Sequence, residues 1–395
     1  MPVVTVTLVG CAPPPPANPG AAESSSALAP SASPSVFPVR RAMEKNLSEH
    51  LAPYFSLGVA MEPHYLGQLG VIIESTFNRL TAENAMKCAR IHPSEDSYSW
   101  SPADQLANFA RERQMKMTGH TLVWHRETPS WMLEGGADAV AEKLRQHIST
   151  VVARYADVTD NWDVVNEAVS DSDGKLYRDG AEGSRLFAVL GEKLVPLAFS
   201  AAQAAVEASG QDIELYYNDY NMAQTKKRSK VIKLARQLRD EGIRIDGVGA
   251  QAHWTLTWPS LGEVQTMIDD IVEAGFQVKI SELDISVYAG DDWARRLWKA
   301  EKPYTDQLAQ AQAARYKSLF EVFAKNAQHI SSVTLWGLSD DRTWLDDMPV
   351  PGRNNYPLLF DDDDQAKAAY FELFQVGQGQ GEGSPASSAS ERPPR

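Results

Sequence analysis

Two glutamates lie in runs of the sequence that are otherwise mostly apolar. Glu167 follows the run 162–166 (WDVVN), and Glu282 lies within the run 278–285 (VKISELDI). Burial disfavours the charged form of a carboxylate, so a glutamate in such a run is expected either to be paired or to do chemistry. A salt bridge to Lys87 or to an arginine explains one such glutamate, but it explains two less readily. We therefore predict that Glu167 and Glu282 are catalytic.

Two carboxylates that face one cleft are suited to the cleavage of a glycosidic bond. One is protonated and donates to the leaving oxygen, while the other is ionised and attacks the sugar or activates water. The sequence contains no HExxH, no GxSxG, no Walker loop and no GxGxxG after a strand, which are the motifs of other common chemistries. We predict no cofactor and no metal. A metal site formed by His120, His253 and Asp284 is the alternative.

Eight short β-rich runs alternate with amphipathic helical patterns. The predicted strands lie at 55–61, 75–80, 117–124, 162–166, 213–218, 247–253, 278–285 and 332–338. Between two of them, the spacing of Leu144, Ile148, Val151, Val152 and Tyr155 predicts a helix with one apolar stripe. Eight alternating β and α units predict the α/β class, as a single (β/α)8 TIM barrel with disordered N- and C-terminal extensions. A long doubly wound sheet is the alternative.

Polar and aromatic residues cluster where the predicted strands end. In a (β/α)8 barrel, the carboxyl ends of the strands carry the active site. So many hydrogen-bonding groups at one rim are costly to bury unless they bind something. The rim residues are His120, Trp124, Asn166, Glu167, Asn218, Asp219, Gln251, His253, Trp254, Glu282, Asp284 and Trp336.

The two ends of the chain differ in composition from the middle. Residues 8–11 (LVGC) resemble a bacterial lipobox, in which Cys11 would be lipidated, and a chance apolar segment with a free cysteine is the alternative. We predict a signal-like segment at 1–11, a Pro/Ser-rich linker at 12–38, a catalytic domain at 39–375 and a disordered Gly/Ser/Pro tail at 376–395. The protein is expected to be exported as an outer-membrane or cell-surface lipoprotein, or otherwise to be periplasmic or secreted.

The charge balance excludes one class of partner. Fifty-two acidic residues against thirty-eight basic ones give a formal net charge of −14. Binding to phosphates needs a basic face, so a nucleic acid is not the expected partner.

Two cysteines, Cys11 and Cys88, cannot form a disulfide framework or a four-cysteine zinc site. No apolar run approaches the roughly 20 residues of a membrane-spanning helix. We expect a monomer whose membrane tether is the lipidated Cys11.

Seven motifs resemble those of glycoside hydrolase family 10, and they occur in the same order. The likeness extends from about residue 51 to residue 374. It implies a retaining, endo-acting β-1,4-xylanase that acts on xylan and xylo-oligosaccharides by double displacement. The motifs are 81–87 (TAENAMK), 119–125 (GHTLVWH), 162–167 (WDVVNE), 217–221 (YNDYN), 249–253 (GAQAH), 281–284 (SELD) and 335–337 (LWG).

The resemblance implies a role for each residue near the scissile bond. Glu282 is the implied nucleophile, and Glu167 is the implied general acid and then base. Retention of configuration predicts that their carboxyl groups lie about 5–5.5 Å apart. Asn166 is expected to hydrogen-bond the sugar 2-hydroxyl, and His253 and Asp284 are expected to orient Glu282 and keep it ionised.

The resemblance also implies a wall of substrate-binding residues. Tyr217 belongs to the leaving-group side, and His253 is expected to contact the substrate as well. The polar wall on the non-reducing side is formed by Glu83, Asn84, Lys87, His120 and Gln251. The aromatic cage is formed by Trp124, Trp336 and Trp344.

Three positions depart from the pattern of this family. Glu127 stands where many relatives have a glutamine, and an ionised carboxylate can only accept hydrogen bonds. Glu127 is expected either to bind sugar in the cleft or to form a salt bridge on its loop. Cys88 stands where tryptophan or proline is usual, and we expect it to be a small buried hydrophobe. The run 181–184 (AEGS) replaces Ser-Pro-Trp on the leaving-group side.

Two other functions remain open at this stage. One is a hydrolase of the same fold that acts on β-1,4-glucan or mixed-linkage glucan. The other is a surface glycan-binding lipoprotein that has lost catalysis. The presence of both Glu167 and Glu282 disfavours a non-catalytic protein.

Overall fold

The structure is a computed structural model that describes residues 46–288 and 301–378. The predicted lipobox with Cys11, the linker at 12–38 and the part of the tail after residue 378 lie outside the described residues.

Eight of the nine parallel strands, all except β7, form a closed barrel. Strand β1 pairs with both β2 and β9, and β6 pairs with β8, so the sheet has no free edge. Strand β7 is short and pairs only with β8, in line with the end of β6. The closed barrel confirms the predicted (β/α)8 fold and excludes the doubly wound sheet. The strands are β1 Ser56–Met61, β2 Arg79–Ala82, β3 Lys116–Trp124, β4 Thr159–Asn166, β5 Glu214–Asp219, β6 Gly247–Ala250, β7 His253–Thr255, β8 Gln277–Ser286 and β9 Ile330–Leu335.

Helices follow the strands and cover the outside of the barrel. The predicted stripe from Leu144 to Tyr155 is fully buried on one helix, because its i, i+4 and i+7 spacing places all its members on one face. The α-helices of the described residues are α1 Leu47–Leu51, α2 Leu66–Thr76, α3 Cys88–Ile91, α4 Ser101–Glu112, α5 Gly136–Tyr155, α6 Arg185–Leu190, α7 Leu194–Ser209, α8 Thr225–Asp240, α9 Leu261–Glu273, α10 Asp306–Lys325 and α11 Ala368–Glu372.

The second predicted strand is displaced along the chain. The prediction began it at residue 75, whereas α2 continues to Thr76 and β2 begins only at Arg79. Leu69, Ile73 and Thr76 are buried on one face of α2, so packing against the barrel keeps this β-branched segment helical. Strand propensity alone placed the boundary too early.

One segment of the barrel is apolar enough to span a membrane by length and composition. It extends over Arg185–Ser209 and contains α6 and α7. The segment does not form one uninterrupted apolar run in the sequence, because Glu192 and Lys193 interrupt its apolar residues. Val195 and Phe199 on α7 are buried in the barrel core. The apolar side of α7 therefore serves packing in this fold.

Gly119 on β3 allows a large side chain to fill the barrel interior. It pairs in register with Trp162 on β4, which is fully buried. A Cβ atom at position 119 would lie 2.1 Å from Cε3 of that indole, which no real packing allows. A glycine is therefore required next to His120, one of the predicted site residues.

We expect Gly119→Ala to destabilise the barrel, because the new methyl group must displace Trp162. The loss in the free energy of unfolding should be about 1–3 kcal/mol or more, as measured by urea denaturation. Gly262→Ala on α9 is the matched control, since nothing lies within 4 Å of its added Cβ. Equal stabilities of the two variants would contradict this account of Gly119.

Candidate active site

The two predicted catalytic glutamates stand at the carboxyl end of the barrel. Glu282 lies in β8 and is 5% exposed, and Glu167 directly follows the last residue of β4, Asn166. The backbone of Glu167 has φ 58°, a left-handed conformation that residues other than glycine rarely adopt. Strain of this kind is concentrated at functional sites. The left-handed conformation of Glu167 turns the chain abruptly at the point where β4 ends.

Glu282 is held by donors on both of its carboxylate oxygens. Asn218 Nδ2 donates to Oε1 over 2.6 Å, and His253 Nε2 lies 3.2 Å from Oε2. The other ring nitrogen of His253 lies 2.8 Å from Asp284 Oδ2, to which Trp344 Nε1 also donates over 2.9 Å. The arrangement brings His253 and Asp284 to the predicted nucleophile, as the sequence analysis expected.

The charge of His253 follows from these two carboxylates. Burial opposes protonation of the ring, but Asp284 and Glu282 outweigh it and raise the pKa of His253 to about 10. At neutral pH the ring is therefore an imidazolium that donates to both acids. The predicted nucleophile, Glu282, is thus in direct contact with a cation.

Asn218 is a site residue whose role the sequence analysis did not assign. The second hydrogen bond from its Nδ2 goes to Asn166 Oδ1 over 2.9 Å, and its own Oδ1 accepts from Ser281 Oγ over 2.6 Å. A Cβ atom at Gly249 would lie 2.3 Å from Asn218 Oδ1, so the amide fits only beside a glycine. Its position at the end of an apolar strand was the signal available in the sequence.

Glu167 accepts hydrogen bonds from neutral donors. Gln251 Nε2 donates to Oε1 and Trp124 Nε1 donates to Oε2, each over 2.9 Å, and His125 Nδ1 lies 3.7 Å from Oε2. Burial raises the pKa of Glu167, but these two donors and the charge of Arg178 outweigh it and lower the pKa. For Glu167 to act as the predicted general acid it must carry a proton, which requires bound substrate to displace or outweigh at least one of these donors.

Lys87 lies between the carboxylates of the predicted non-reducing side. Its Nζ donates to Asn84 Oδ1 over 2.8 Å and stands 4.7 Å from the centre of the Trp124 ring. Asn84 Nδ2 donates to Glu62 Oε1 over 2.6 Å and to Glu83 Oε1 over 3.3 Å. Glu62 was not among the predicted site residues, and its position just after β1 was its only signal.

Burial and nearby carboxylates have opposite effects on the pKa of Lys87. Burial lowers the pKa of Lys87, while the charges of Glu282, Glu83, Glu127 and Glu167 act to raise it. Burial also raises the pKa of Glu83, with a further contribution from Glu62. The lysine is therefore the cation that balances a cluster of acids in this half of the site.

Aromatic rings of the predicted cage surround the two site histidines. Trp336 meets His120 edge to face at 5.2 Å between ring centres, and it meets His253 in the same way at 6.4 Å. Trp344 meets His253 at 4.9 Å.

The alternative metal site is not formed, because the described residues contain no group of three or more His, Cys, Asp or Glu that could hold a metal ion.

The structure corrects the placement of Tyr217 against the substrate. Tyr217 is fully buried, and its hydroxyl donates to Asp219 Oδ2 over 2.7 Å and accepts from Val169 N over 2.8 Å. A sugar therefore cannot contact Tyr217, because its hydroxyl is enclosed by Asp219 and by the backbone at Val169. The partly exposed tyrosine of this motif is Tyr220, which follows the end of β5.

The structure shows the surroundings of Glu127 and Cys88, two of the three positions that depart from the family pattern. Glu127 Oε2 lies 3.5 Å from Arg90 Nε, so the alternative of a salt bridge on the loop is the one observed. The side chain of Arg90 is 63% exposed, and such a pair contributes little to stability. Cys88 is buried as predicted, and burial raises the pKa of its thiol.

The loop with the third departure is organised by its own side chains. Asp179 accepts from the backbone N–H groups of Ala181 and Glu182, and Glu182 Oε1 accepts from Ser170 and Ser172. These contacts fix the run 181–184 without the Ser-Pro-Trp of other relatives.

We expect His253→Gln to change how stability depends on pH. The pKa of His253 is about 10 in the folded protein and about 6.5 in an unfolded chain. Its contribution is therefore fully present below about pH 6.5 and is lost as the pH rises through about 10. The stability of the parent relative to the variant should decline by a few kcal/mol over that range, measured by urea unfolding.

His64→Gln is the control for replacement of a histidine on the surface, since His64 is exposed after β1. A difference between the parent and His253→Gln that stays constant from about pH 6 to about pH 10 would contradict the imidazolium at this position.

Comparison with known proteins gives a consistent result for the whole barrel. Residues 46–376 match the family model described as Glycosyl hydrolase family 10. The chain is 38% identical over 328 residues to the beta-1,4-xylanase of Dictyoglomus thermophilum, which covers 83% of this chain and 90% of that one. It is 37% identical over 339 residues to endo-1,4-beta-xylanase B of Paenibacillus barcinonensis, with coverage of 84% and 98%.

Solved structures show the same relationship in three dimensions. The crystal structure of CbXyn10B in native form has a TM-score of 0.78 and 38% identity, and it covers 83% of this chain and 98% of its own. A variant solved in complex with xylotriose has a TM-score of 0.77, also at 38% identity, with coverage of 83% and 99%. Sequence and fold thus agree over the barrel that carries the two glutamates, and the chain belongs to glycosyl hydrolase family 10.

Proposed function

We infer that this chain is an endo-1,4-β-xylanase that hydrolyses the β-1,4 bonds of xylan and xylo-oligosaccharides. The observation that carries this inference is the joint hydrogen-bond network of Glu167 and Glu282, which passes through Asn166 and Asn218 at the carboxyl end of the barrel. Relatives named endo-1,4-β-xylanases support the substrate, as does a related structure in complex with xylotriose.

The mechanism that fits these groups is double displacement with retention. Glu282 attacks the anomeric carbon and forms a glycosyl-enzyme, while Glu167 protonates the leaving oxygen. In the second step Glu167 removes a proton from water, which attacks the same carbon and releases Glu282. Asn166 binds the sugar 2-hydroxyl, where a hydrogen bond stabilises the transition state. The imidazolium of His253 stabilises Glu282 whenever it is ionised.

Activity on β-1,4-glucan is the second candidate, because one relative is named a thermostable celloxylanase, at 34% identity over 350 residues. Reducing-sugar release from xylan and from carboxymethylcellulose separates the two candidates. Release from xylan alone supports a xylanase, release from both supports the broader activity, and release from neither contradicts the proposed function.

We expect Glu282→Ala and Glu167→Ala to fail in different ways. Loss of the nucleophile should lower kcat on every β-xyloside by at least about four orders of magnitude. Loss of the acid should lower kcat on xylan by about 10²- to 10⁴-fold. Aryl xylosides with good leaving groups should still form the glycosyl-enzyme in Glu167→Ala, which intact-protein mass spectrometry detects.

Glu192→Ala, at an exposed glutamate outside the site, controls for the effect of the substitution itself. Equal losses on aryl and polymeric substrates in both active-site variants would overturn the assignment of the two roles.

We propose further that the enzyme is exported and held at a membrane surface through lipidated Cys11. The motif at 8–11 (LVGC) and the proline-rich spacer at 12–38 support this, since xylan lies outside the cell and acyl chains anchor a protein through buried methylene groups. A monomer is consistent with the surface, where Val71 and Leu261 are the exposed large hydrophobic residues among those described.

We expect mass spectrometry of the native protein to find a mature N-terminus at Cys11 with acyl chains attached. Cys11→Ala should remain unmodified and should lose its association with membranes. An unmodified Cys11 or a mature N-terminus elsewhere would contradict the proposed tether.

A further inference from the structure

Two histidines of the site each pair with a buried aspartate, but the two pairs differ in what lies behind the aspartate. His253 pairs with Asp284, which also accepts from an indole N–H. His120 Nδ1 lies 3.0 Å from Asp163 Oδ2, and the other oxygen of Asp163 lies 2.8 Å from Lys279 Nζ. One carboxylate therefore has a neutral second donor, and the other has a cation.

Lys279 is enclosed in the barrel interior. It is 1% exposed, donates to Asn161 Oδ1 over 2.8 Å, and lies 4.6 Å from the centre of the Tyr216 ring. The other charged groups that act on it are Arg79 and Asp160, which pair with each other. None of these contacts brings Lys279 to a substrate, so its influence on the site passes through Asp163.

The charge of the Lys279–Asp163 pair follows from its contacts. Burial raises the pKa of Asp163, but Lys279 and then His120 outweigh it and lower the pKa. Burial lowers the pKa of Lys279, which Asp163 opposes. An ionised Asp163 is thus already balanced by a cation before any proton reaches the histidine.

His253 shows what happens where the aspartate beside the ring accepts from an indole instead of contacting a cation. Its two carboxylates draw a proton onto the ring and raise its pKa to about 10, in spite of burial. The groups that face His120 are Asp163 on β4, Glu83 after β2 and the ring of Trp336 after β9. Lys87 acts on Glu83, whereas Lys279 is the cation in contact with Asp163, so without Lys279 His120 would face an aspartate that no cation contacts.

We propose that Lys279 is a positioning residue that keeps His120 a neutral imidazole. Nδ1–H of His120 then donates to Asp163, and Nε2 keeps a lone pair that accepts from a sugar hydroxyl. His253 is a cation and only donates. The two histidines of the site therefore have opposite hydrogen-bonding roles, and a lysine that never touches the sugar sets the difference.

The charge state of His120 tests this directly. In ¹⁵N-labelled full-length protein, ring nitrogen shifts distinguish the neutral Nδ1–H tautomer from the imidazolium, and His120→Gln identifies the signals. At about pH 8, the parent should show the neutral tautomer, and Lys279→Met should show the imidazolium. If Lys279→Met does not fold, Lys279→Gln replaces it, because glutamine keeps a donor toward Asp163 and removes the charge.

Arg79→Met is the matched control. Arg79 is another buried cation of the barrel interior, and its loss removes the cation from Asp160 as the loss of Lys279 removes the cation from Asp163. Both variants should lose stability, but only the change at Lys279 should alter His120. A parent His120 that is already an imidazolium would overturn the proposal, as would a neutral His120 in the Lys279 variants or an equal change in Arg79→Met.

The kinetic test rests on the proposed function, so activity of the parent on xylan is measured first. Lys279→Met should lower kcat/KM on xylo-oligosaccharides by about 10- to 100-fold, and Arg79→Met should stay near the parent. An inactive parent would contradict the proposed function and would leave the NMR result intact. An active parent with equal losses in both variants would show that Lys279 serves stability alone.

Discussion

The amide group of Asn218 is the contact on which the arrangement of both glutamates depends. It donates one hydrogen bond to Glu282 and one to Asn166, the residue before Glu167, and it accepts one from Ser281. Groups on β4, β5 and β8 are thereby joined in one network with no spare donor. Because Asn218 is fully buried, loss of any one of these bonds leaves a polar group unsatisfied.

The two glutamates differ chiefly in the nature of their donors. Glu282 has a cationic imidazolium in direct contact, which stabilises negative charge on its carboxylate. Glu167 accepts from the amides of Gln251 and Asn166 and from an indole, while His125 lies further away. Neutral donors are released more easily than a buried cation, so the residue proposed to gain and lose a proton is the one with the exchangeable partners.

The fold could be predicted from the sequence because alternation of strands and helices is a local signal. Boundaries were less certain where packing overrode propensity, as at the end of α2. The resemblance identified residues but could not give the direction of a side chain, and so Tyr217 was placed against the sugar when it is buried. The bridging role of Asn218 and the ion pair between Lys279 and Asp163 join strands far apart in the sequence, and no local pattern reports such contacts.

The side chain of Arg178 makes two neighbouring loops a single structural module. Its Nε donates to the backbone oxygen of Glu167, and its Nη2 donates to the hydroxyl of Tyr220 over 2.6 Å. Tyr220 in turn donates to Asp171, so this tyrosine joins the loop after β5 to two residues of the loop after β4. For the construction of chimaeras with other members of the family, the unit of exchange is therefore the pair of loops. A transplant of the first loop alone would separate Arg178 from the tyrosine that fixes its guanidinium group.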